Sequence, residues 1–538
     1  MNPENWTLNA LLLFLLFSFC TSNDTITTTQ PLTDGEIIVS ERENFALGFF
    51  SPGSSRDRYV GIWYNKVSEQ TVVWVANREK PIKDSSALLM INADGNLVIV
   101  QKNQSNLLWS TNLALSTNDS IAKLSNSGNL VLLEKNTKKV LWQSFDYPTH
   151  TYLPGMKLGV NRKTGQNWLL TSWKSINDPA RGNYSLVLDP RGSPQLFLYR
   201  GSARYWRSGP WSGHGWSRNP ATALSYMFNY SFVNDQDGAY VTYSLFNGSF
   251  ISKFVLHESG SVQRLTWVDG IRQWNLFVSA PADQCDRYAL CGPNGYCNSG
   301  LECECLQGFE PKSDGSVGCV RKRALRCGKG EGFLELVRMK LPDTSMSRVD
   351  ESLSPQDCQK QCLTNCSCTA YTSADVNGGS SRCVAWYGEL MDIRDSRDEE
   401  EYLYVRVDAI ELVAIEHGHE MLFEDYPGTN ELEQIRPRAW DLWNEDRVLD
   451  LVDDSIVNSC LAHEVLRCVH VGFLCVQEIA KDRPTMPAIV FMLGNETTLP
   501  PPKKPAYLFR TRNGAGLSTT QTRKCSVNEV TMTMVEAR

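Results

Sequence analysis

Apolar residues in this chain come in short runs cut by turn residues. Phe45-Ala46-Leu47-Gly48-Phe49-Phe50 stops at Ser51-Pro52-Gly53. Tyr59-Val60-Gly61-Ile62-Trp63-Tyr64 follows, and then Thr71-Val72-Val73-Trp74-Val75-Ala76 ends at Asn77-Arg78. The texture continues through LLTSWKS (169–175), GNYSLVLDP (182–190), QLFLYRG (195–201), YVTYSLF (240–246) and ISKFVL (251–256). Short β-branched and aromatic runs between Gly, Pro, Asn and Asp clusters predict strands, so an all-β region reaches to about residue 283.

Within it a short repeat stands out. Asp94-Gly95-Asn96-Leu97-Val98 is echoed by Ser127-Gly128-Asn129-Leu130-Val131, and each copy is followed by an apolar-Trp pair, Leu108-Trp109 and Leu141-Trp142. A turn, a strand and a Trp, repeated, predict a prism of similar strand sets with its indoles packed centrally.

After residue 283 the pattern changes. Cys285, Cys291, Cys297, Cys303, Cys305 and Cys319 are followed by Cys327, Cys358, Cys362, Cys366, Cys368 and Cys383, whereas no cysteine lies between Cys20 and Cys285. Such a cluster means disulfides or a metal centre, with zinc the rival reading of Cys358–Cys368. The compartment decides. Ala10–Cys20 is an apolar run long enough for a signal-peptide core and too short to span a bilayer, although no Lys or Arg precedes it. Sequons at Asn23, Asn103, Asn118, Asn183, Asn229, Asn247 and Asn365 add to the case for export. In an oxidising compartment the block reads as disulfides, with no metal expected.

Composition narrows the rest. The length of 538 residues is too great for one core, and a net charge of −7 gives no basic excess for nucleic acid. Fifteen Trp and nineteen Tyr suit an aromatic-packed β protein. His214 and His257 sit singly, and no catalytic constellation accompanies them.

VVWVANREKPI (72–82), NADGNLVIV (92–100) and WQSFDYPTHTYLPGMKLG (142–159) resemble the bulb-type (monocot mannose-binding) lectin domain of plant S-domain receptor kinases. That family's sugar pocket carries Gln-x-Asp-x-Asn-x-Val-x-Tyr. The match here is Asn92, Asp94, Asn96 and Val98, with Val100 at the Tyr position; in the second copy Ser125 and Ser127 replace Gln and Asp, leaving Asn129 and Val131. The resemblance implies a degenerate carbohydrate site. A hairpin turn is the other reading of the same residues.

WKSINDPARGNYSLVLDP and YWRSGPWSG are similar to the S-locus glycoprotein domain, which implies a second lectin-like β domain. Residues 283–319 look like an EGF-like module, and the resemblance implies the pairs Cys285–Cys297, Cys291–Cys303 and Cys305–Cys319. Asp283-Gln284 is a thin match to the calcium-binding variety, so no calcium is expected. The next block resembles a PAN/apple domain. Ser354 can cap a helix starting at Pro355, with Cys358, Cys362 and Cys366 on one face. The family implies Cys358–Cys383 and Cys362–Cys368, leaving Cys327 and Cys366 for each other.

In this family a membrane span and a cytosolic kinase follow. Ile410–Ile415 is short and carries Glu411, so no span is expected. Residues 438–496 look like the last helices of a kinase C-lobe, with Leu466, Val469, Phe473 and Val476 as an apolar face, and 526–538 is similar to the family's C-terminal tail. No Gly-rich loop, His-Arg-Asp, Asp-Phe-Gly or Ala-Pro-Glu motif is present, and Val413-Ala414-Ile415 is followed by Glu416 rather than Lys. No catalytic or ATP-binding residue and no cofactor are expected.

The expected fold is therefore mainly β. Its parts are a signal peptide (1–22), a bulb-lectin-like β-prism (23–150), an S-locus glycoprotein β domain (151–283), EGF-like (284–320) and PAN/apple α+β (327–409) modules, a junction (410–437), a helical kinase C-lobe fragment (438–496) and a tail (497–538). The expected function is a secreted ectodomain for pollen recognition (self-incompatibility) or defence. It would bind an extracellular peptide or glycan and pair with itself or with full-length S-domain receptor kinases, which are single-pass plasma-membrane proteins. A mannose-binding lectin is the alternative, and a receptor serine/threonine kinase using ATP is a further one if the chain is incomplete.

Overall fold

The computed structural model describes residues 24–413 except 102–103, 115–118, 214, 217–226, 247–250, 377–379 and 396–400. Beyond these it describes residues 440, 442–445, 447–451, 462–477, 483–484, 492 and 499–503. The leader, the sequons Asn23, Asn103, Asn118 and Asn247, His214, most of the junction and nearly all of the tail lie outside the described residues. The chain divides into two units, 1–416 and 417–538.

The first prism has three four-stranded antiparallel sheets. Each borrows a short strand from the N-terminal stretch. Thr25–Ile26 pairs with Ser120–Leu124, Leu32–Thr33 with Ala87–Ile91, and Ile37–Val39 with Phe45–Phe50. Trp74, Trp109 and Trp142, one per sheet, meet edge-to-face with ring centroids 6.1, 6.0 and 5.7 Å apart. This is the central indole packing that the repeat predicted. Such pairs contribute about 0.5–1.5 kcal/mol each beyond their buried area.

Phe45–Phe50 and Tyr59–Tyr64 are buried at every position, whereas Ala87–Ile91 alternates. The difference is physical. The sheet holding the first two strands faces the prism interior on one side. On the other, Ala46, Phe50, Tyr59 and Trp63 pack with Trp173 of the second domain. A sheet covered on both faces has no reason to alternate.

The second domain is another prism of three four-stranded sheets. Asp178–Asp189 is its longest strand. Tyr152 donates to the Val241 carbonyl (2.8 Å) and Tyr243 to the Tyr152 carbonyl (3.0 Å), which locks two of its sheets together. The two prisms share one apolar core. Arg78, 8 % exposed, crosses between them and donates to the Pro179 and Ser172 carbonyls, each at 2.8 Å. Burial lowers its guanidinium to about 10.

The cysteine-rich part is not a string of separate modules. One sheet runs Cys303–Cys305, Gly295–Cys297, Ile393–Asp395, Met339–Lys340, so the first cysteine block and the second share strands through a parallel pairing. A five-stranded sheet carries the helix Pro355–Thr364. Ser354 caps it by accepting from the Asp357 N–H (3.1 Å), with Pro355 in the first turn. The helix stops at Thr364, so Cys366 lies beyond it and off the face that carries Cys358 and Cys362. Arg406, 1 % exposed, closes its C-terminal end by donating to the carbonyls of Cys362, Leu363 and Asn365, and pairs with Glu331 at 2.9 Å.

In the second unit the helix Ala462–Cys475 buries Val471, Phe473 and Leu474, and Phe473 meets Trp440 and Trp443 edge-on or tilted at 5.3 Å. Of the face that the sequence spacing suggests, Phe473 is buried and Val469 half-buried, while Leu466 and Val476 are exposed. The nearby Trp440 and Trp443 set which part of it is covered. No helix among the described residues is long and apolar enough to cross a membrane.

Candidate functional site

The structure places Asn92, Asp94, Asn96 and Val98 on the hairpin joining Ala87–Ile91 to Leu97–Gln101. Asn92 Oδ1 accepts from the N–H groups of Asp94 (3.1 Å) and Asn96 (2.9 Å), and its Nδ2 donates to Asp94 (3.2 Å). Asn96 is buried. Its Oδ1 accepts from the Thr111 hydroxyl (2.7 Å) and the Leu113 N–H (2.8 Å), and its Nδ2 donates to the Leu113 carbonyl (3.0 Å). Val98 is 1 % exposed. Of the four, Asp94 alone is exposed. The hydrogen-bonding capacity of Asn96 is therefore used by its own domain.

The second copy repeats the device. Asn129 Oδ1 accepts from the Ser144 hydroxyl (3.1 Å) and the Phe145 N–H (3.2 Å), and Ser125 accepts from the Asn129 N–H (3.2 Å). Gly128 sits at φ +84, where a Cβ would lie 2.9 Å from the Phe45 ring, so this turn requires glycine. A third copy escapes sequence inspection. Ser40 accepts from the Phe45 N–H (3.1 Å), and Glu43, at φ +58, holds the place of the glycine. Its turn is one residue longer and lacks Gly, which hides it.

The cysteines come together as Cys285–Cys297, Cys291–Cys303, Cys305–Cys319, Cys327–Cys366, Cys358–Cys383 and Cys362–Cys368. The Sγ atoms of Cys291, Cys297 and Cys303 lie within 4.8 Å of one another, and all three are held in disulfides rather than free to ligate. Asp283 and Asp286 face the Arg394 guanidinium, Asp286 at 2.9 Å. Asn183 and Asn229 are exposed on strands of the second prism, and Asn365 is half-buried just past the helix.

Sequence reasoning missed the charged junction where three parts of the chain meet. Arg207, on the second prism and fully buried, donates through Nε to Asp392 Oδ2 (2.8 Å) and through Nη2 to the carbonyls of Leu341 (2.6 Å) and Asp392 (2.7 Å). Lys340, 2 % exposed, reaches the same carboxylate at 2.8 Å, and the Ala289 N–H donates to its other oxygen at 3.0 Å. Burial brings the Lys340 ammonium down to about 8, against the pull of Asp392. Beside it Asp343 accepts from Arg204, Gln195, Tyr288 and Ser345. Burial pushes the Asp343 carboxyl up, but the charge of Arg207 and the hydrogen bonds outweigh it and hold the group at about 2. The signal was a set of unremarkable charges; Arg207 and Asp392 stand 185 residues apart.

Two fused three-sheet prisms continued into disulfide-closed modules define a lectin-type binding ectodomain. Family models match it in order: D-mannose binding lectin at residues 71–174, S-locus glycoprotein domain at 206–313, PAN-like domain at 327–393, and a domain of unknown function at 494–538. No protein-kinase domain is detected. The chain is 46 % identical over 416 residues to the G-type lectin S-receptor-like serine/threonine-protein kinase RKS1 of Arabidopsis thaliana, covering 74 % of this chain and 50 % of that protein. It is 41 % identical over 431 residues to the S-locus-specific glycoprotein S6 of Brassica oleracea, covering 76 % of this chain and 98 % of that one. The chain belongs to the family of S-locus glycoproteins and G-type lectin S-receptor-like kinases. It spans about half the length of the receptor kinase it matches.

Proposed function

We propose that the chain acts as an extracellular recognition ectodomain, binding a peptide or glycan in pollen recognition or defence, without transferring phosphate. The observation that carries this reading is the set of six disulfides closing residues 285–383, which belongs to an oxidising compartment. A leader at residues 1–22, an EGF-like module at 284–320 and glycans on the exposed Asn183 and Asn229, and on Asn365, fit the same reading. Residues 438–496 are then an inert C-lobe remnant. Asn92, Asp94, Asn96 and Val98 serve as a hairpin lock rather than a mannose pocket, because Asn96 and Val98 are buried and Asn96 is bonded internally. Pairing with itself or with full-length S-domain receptor kinases would carry the signal onward.

The test is expression of the tagged full chain in plant cells. It should appear in the extracellular wash fluid, glycosylated, with the six disulfides recovered by non-reducing peptide mapping, and it should incorporate no phosphate from labelled ATP. Retention in the cytosol with reduced cysteines, or measurable phosphoryl transfer, would overturn the reading. Co-precipitation with full-length S-domain receptors tests the partner.

A further inference from the structure

Lys322-Arg323 is the one place in the sequence where a Lys or Arg directly precedes an arginine, and Arg321 stands before it. It falls between the two cysteine blocks, after Cys319 and before Cys327. The strand Cys319–Arg321 ends there, and the Lys322 N–H donates to the Gly308 carbonyl at 3.1 Å. Residues 323–325 belong to no strand or helix and make no backbone hydrogen bond among the described residues. Backbone bonding resumes in the turn where the Lys329 N–H donates to the Arg326 carbonyl at 2.9 Å. Lys322, Arg323 and Ala324 are all exposed. The Arg323 side chain is 52 % exposed and pairs with Glu411 at 3.1 Å. A pair so open to water holds weakly. Arg321 is held more firmly, donating to the Arg406 carbonyl with its guanidinium 4.7 Å from the Phe309 ring centroid.

Other adjacent basic pairs among the described residues are closed off by their own turns. The Lys138 N–H donates to the Glu134 carbonyl, and the Lys139 carbonyl accepts from the Glu134 N–H, each at 2.9 Å. Around Arg162-Lys163, Asn161 Oδ1 accepts from the N–H groups of Lys163 (3.0 Å) and Thr164 (3.1 Å). Residues 322–324 thus combine paired basic side chains with an unbonded, exposed main chain.

We propose that the Arg323–Ala324 bond is a processing site for a serine protease that cuts after paired basic residues, and that the product is a two-chain protein joined without a covalent link. Such a protease selects arginine with a carboxylate at the base of its pocket, which pairs with the guanidinium. Recognition of an extended peptide through its main chain needs backbone groups that are not already bonded, and exposed loops are where nicking concentrates. In the reaction the Arg323 carbonyl carbon gains an oxygen from water and becomes a carboxylate. The C–N bond breaks, and the Ala324 nitrogen leaves as an amine.

The disulfides fall on either side of this bond. Cys285–Cys297, Cys291–Cys303 and Cys305–Cys319 precede it, and Cys327–Cys366, Cys358–Cys383 and Cys362–Cys368 follow it. Non-covalent links cross it in number. Arg207 pairs with Asp392, Arg394 with Asp283 and Asp286, and Gly295–Cys297 lies parallel to Ile393–Asp395. Cleavage therefore cuts the chain without parting its modules, and it leaves the charged junction as their hold. The inference goes beyond the recognition reading and takes from it only the exported location.

The test incubates the purified, folded full chain with a limiting amount of a subtilisin-like protease specific for Lys-Arg, beside reduced and alkylated chain as a control. N-terminal sequencing should find Ala324-Leu325-Arg326 as the new terminus. The two pieces should part on a denaturing gel without reductant, yet elute together in gel filtration at neutral pH. Arg323→Gln loses only the exposed pair with Glu411, so it keeps the fold, and it should abolish the cut. Chain recovered from the extracellular wash fluid of plant cells should carry the same terminus. Folded chain that stays whole at enzyme amounts that cut the alkylated control would overturn the proposal. So would cleavage at another bond instead, a cut that persists in Arg323→Gln, or extracellular chain that is uncut. Pieces that separate in gel filtration would overturn the two-chain form. Failure of export would sink the recognition reading and is scored apart from the cut made in the purified chain.

Discussion

The two prisms share a plan and differ in what fills it. The first closes on three indoles, one from each sheet, with neutral Asn and Ser side chains pinning its hairpins. The second encloses a cation. Arg264 is 1 % exposed, lies 4.3 Å over Tyr243, 4.7 Å over Phe228 and 5.1 Å over Phe254, and donates to the Tyr230 hydroxyl at 2.9 Å. Arg207 and Arg204, on the strand Ala203–Arg207, then carry the docking of the cysteine-rich modules. Apolar packing is tolerant of neighbours; a buried charge accepts only a matched partner. The centre and hairpins of the first prism are therefore held by neutral groups, with Arg78 reaching into the second prism, while buried charge on the second holds the cysteine-rich modules in one arrangement. Buried ion pairs are not reliably stabilising, so what these pairs contribute is one fixed arrangement.

The sharpest break of that contrast is Arg207→Ala. It leaves Asp392 and Lys340 buried without their third partner and frees two carbonyls, at an expected cost of roughly 3–5 kcal/mol. Urea denaturation should show the cysteine-rich part uncoupled from the prisms, as a second transition. If Arg207→Met is as stable as the parent and still unfolds in one step, the charge is not what couples them. The matching change in the first prism is Trp109→Ala. Trp109 is only partly buried, so the loss should sit near the low end of the large-to-small range, about 3 kcal/mol, within a single transition.

The next effect is a pH response at the junction between the second prism and the cysteine-rich modules. Asp343 titrates at about 2 when folded, below the usual 3.8. A depressed carboxyl contributes stability in full above about pH 4, and that share is lost as pH falls through about 2. The shift corresponds to about 2 kcal/mol. Hydrogen-exchange protection at residues 343–345 should fall over that window, while protection around Trp109 holds. Asp343→Asn should remove the response.

These cases also show what the sequence could and could not reveal. Strand positions were legible because side-chain period and turn residues are local. The prism was legible because two copies of turn, strand and Trp are near-identical in spacing. Its third copy was hidden by Glu43 and one extra residue, although the geometry of Ser40 and Phe45 is the same. The sharing of a sheet between Gly295–Cys297 and Ile393–Asp395 left no local trace, since a parallel pairing across nearly a hundred residues depends on tertiary packing. The same holds for Arg207 and Asp392.

The smallest effects separate a structural hairpin from a binding one inside the first prism. Asn96→Ala strips partners from the Thr111 hydroxyl and from both backbone groups of Leu113, in a buried setting. Leaving such groups unmet costs about 1–2 kcal/mol. Asp94→Ala, two residues away and exposed, should change stability by under about 0.5 kcal/mol. Because the bonds at Asn96 are neutral, its loss should be the same at low and high salt, unlike that at Arg207. Two denaturation series, at each salt, measure all of this. If Asp94→Ala proved as costly as Asn96→Ala, or if the Asn96→Ala loss varied with salt, neutral hydrogen bonds at Asn96 would not be what pins this hairpin of the first prism.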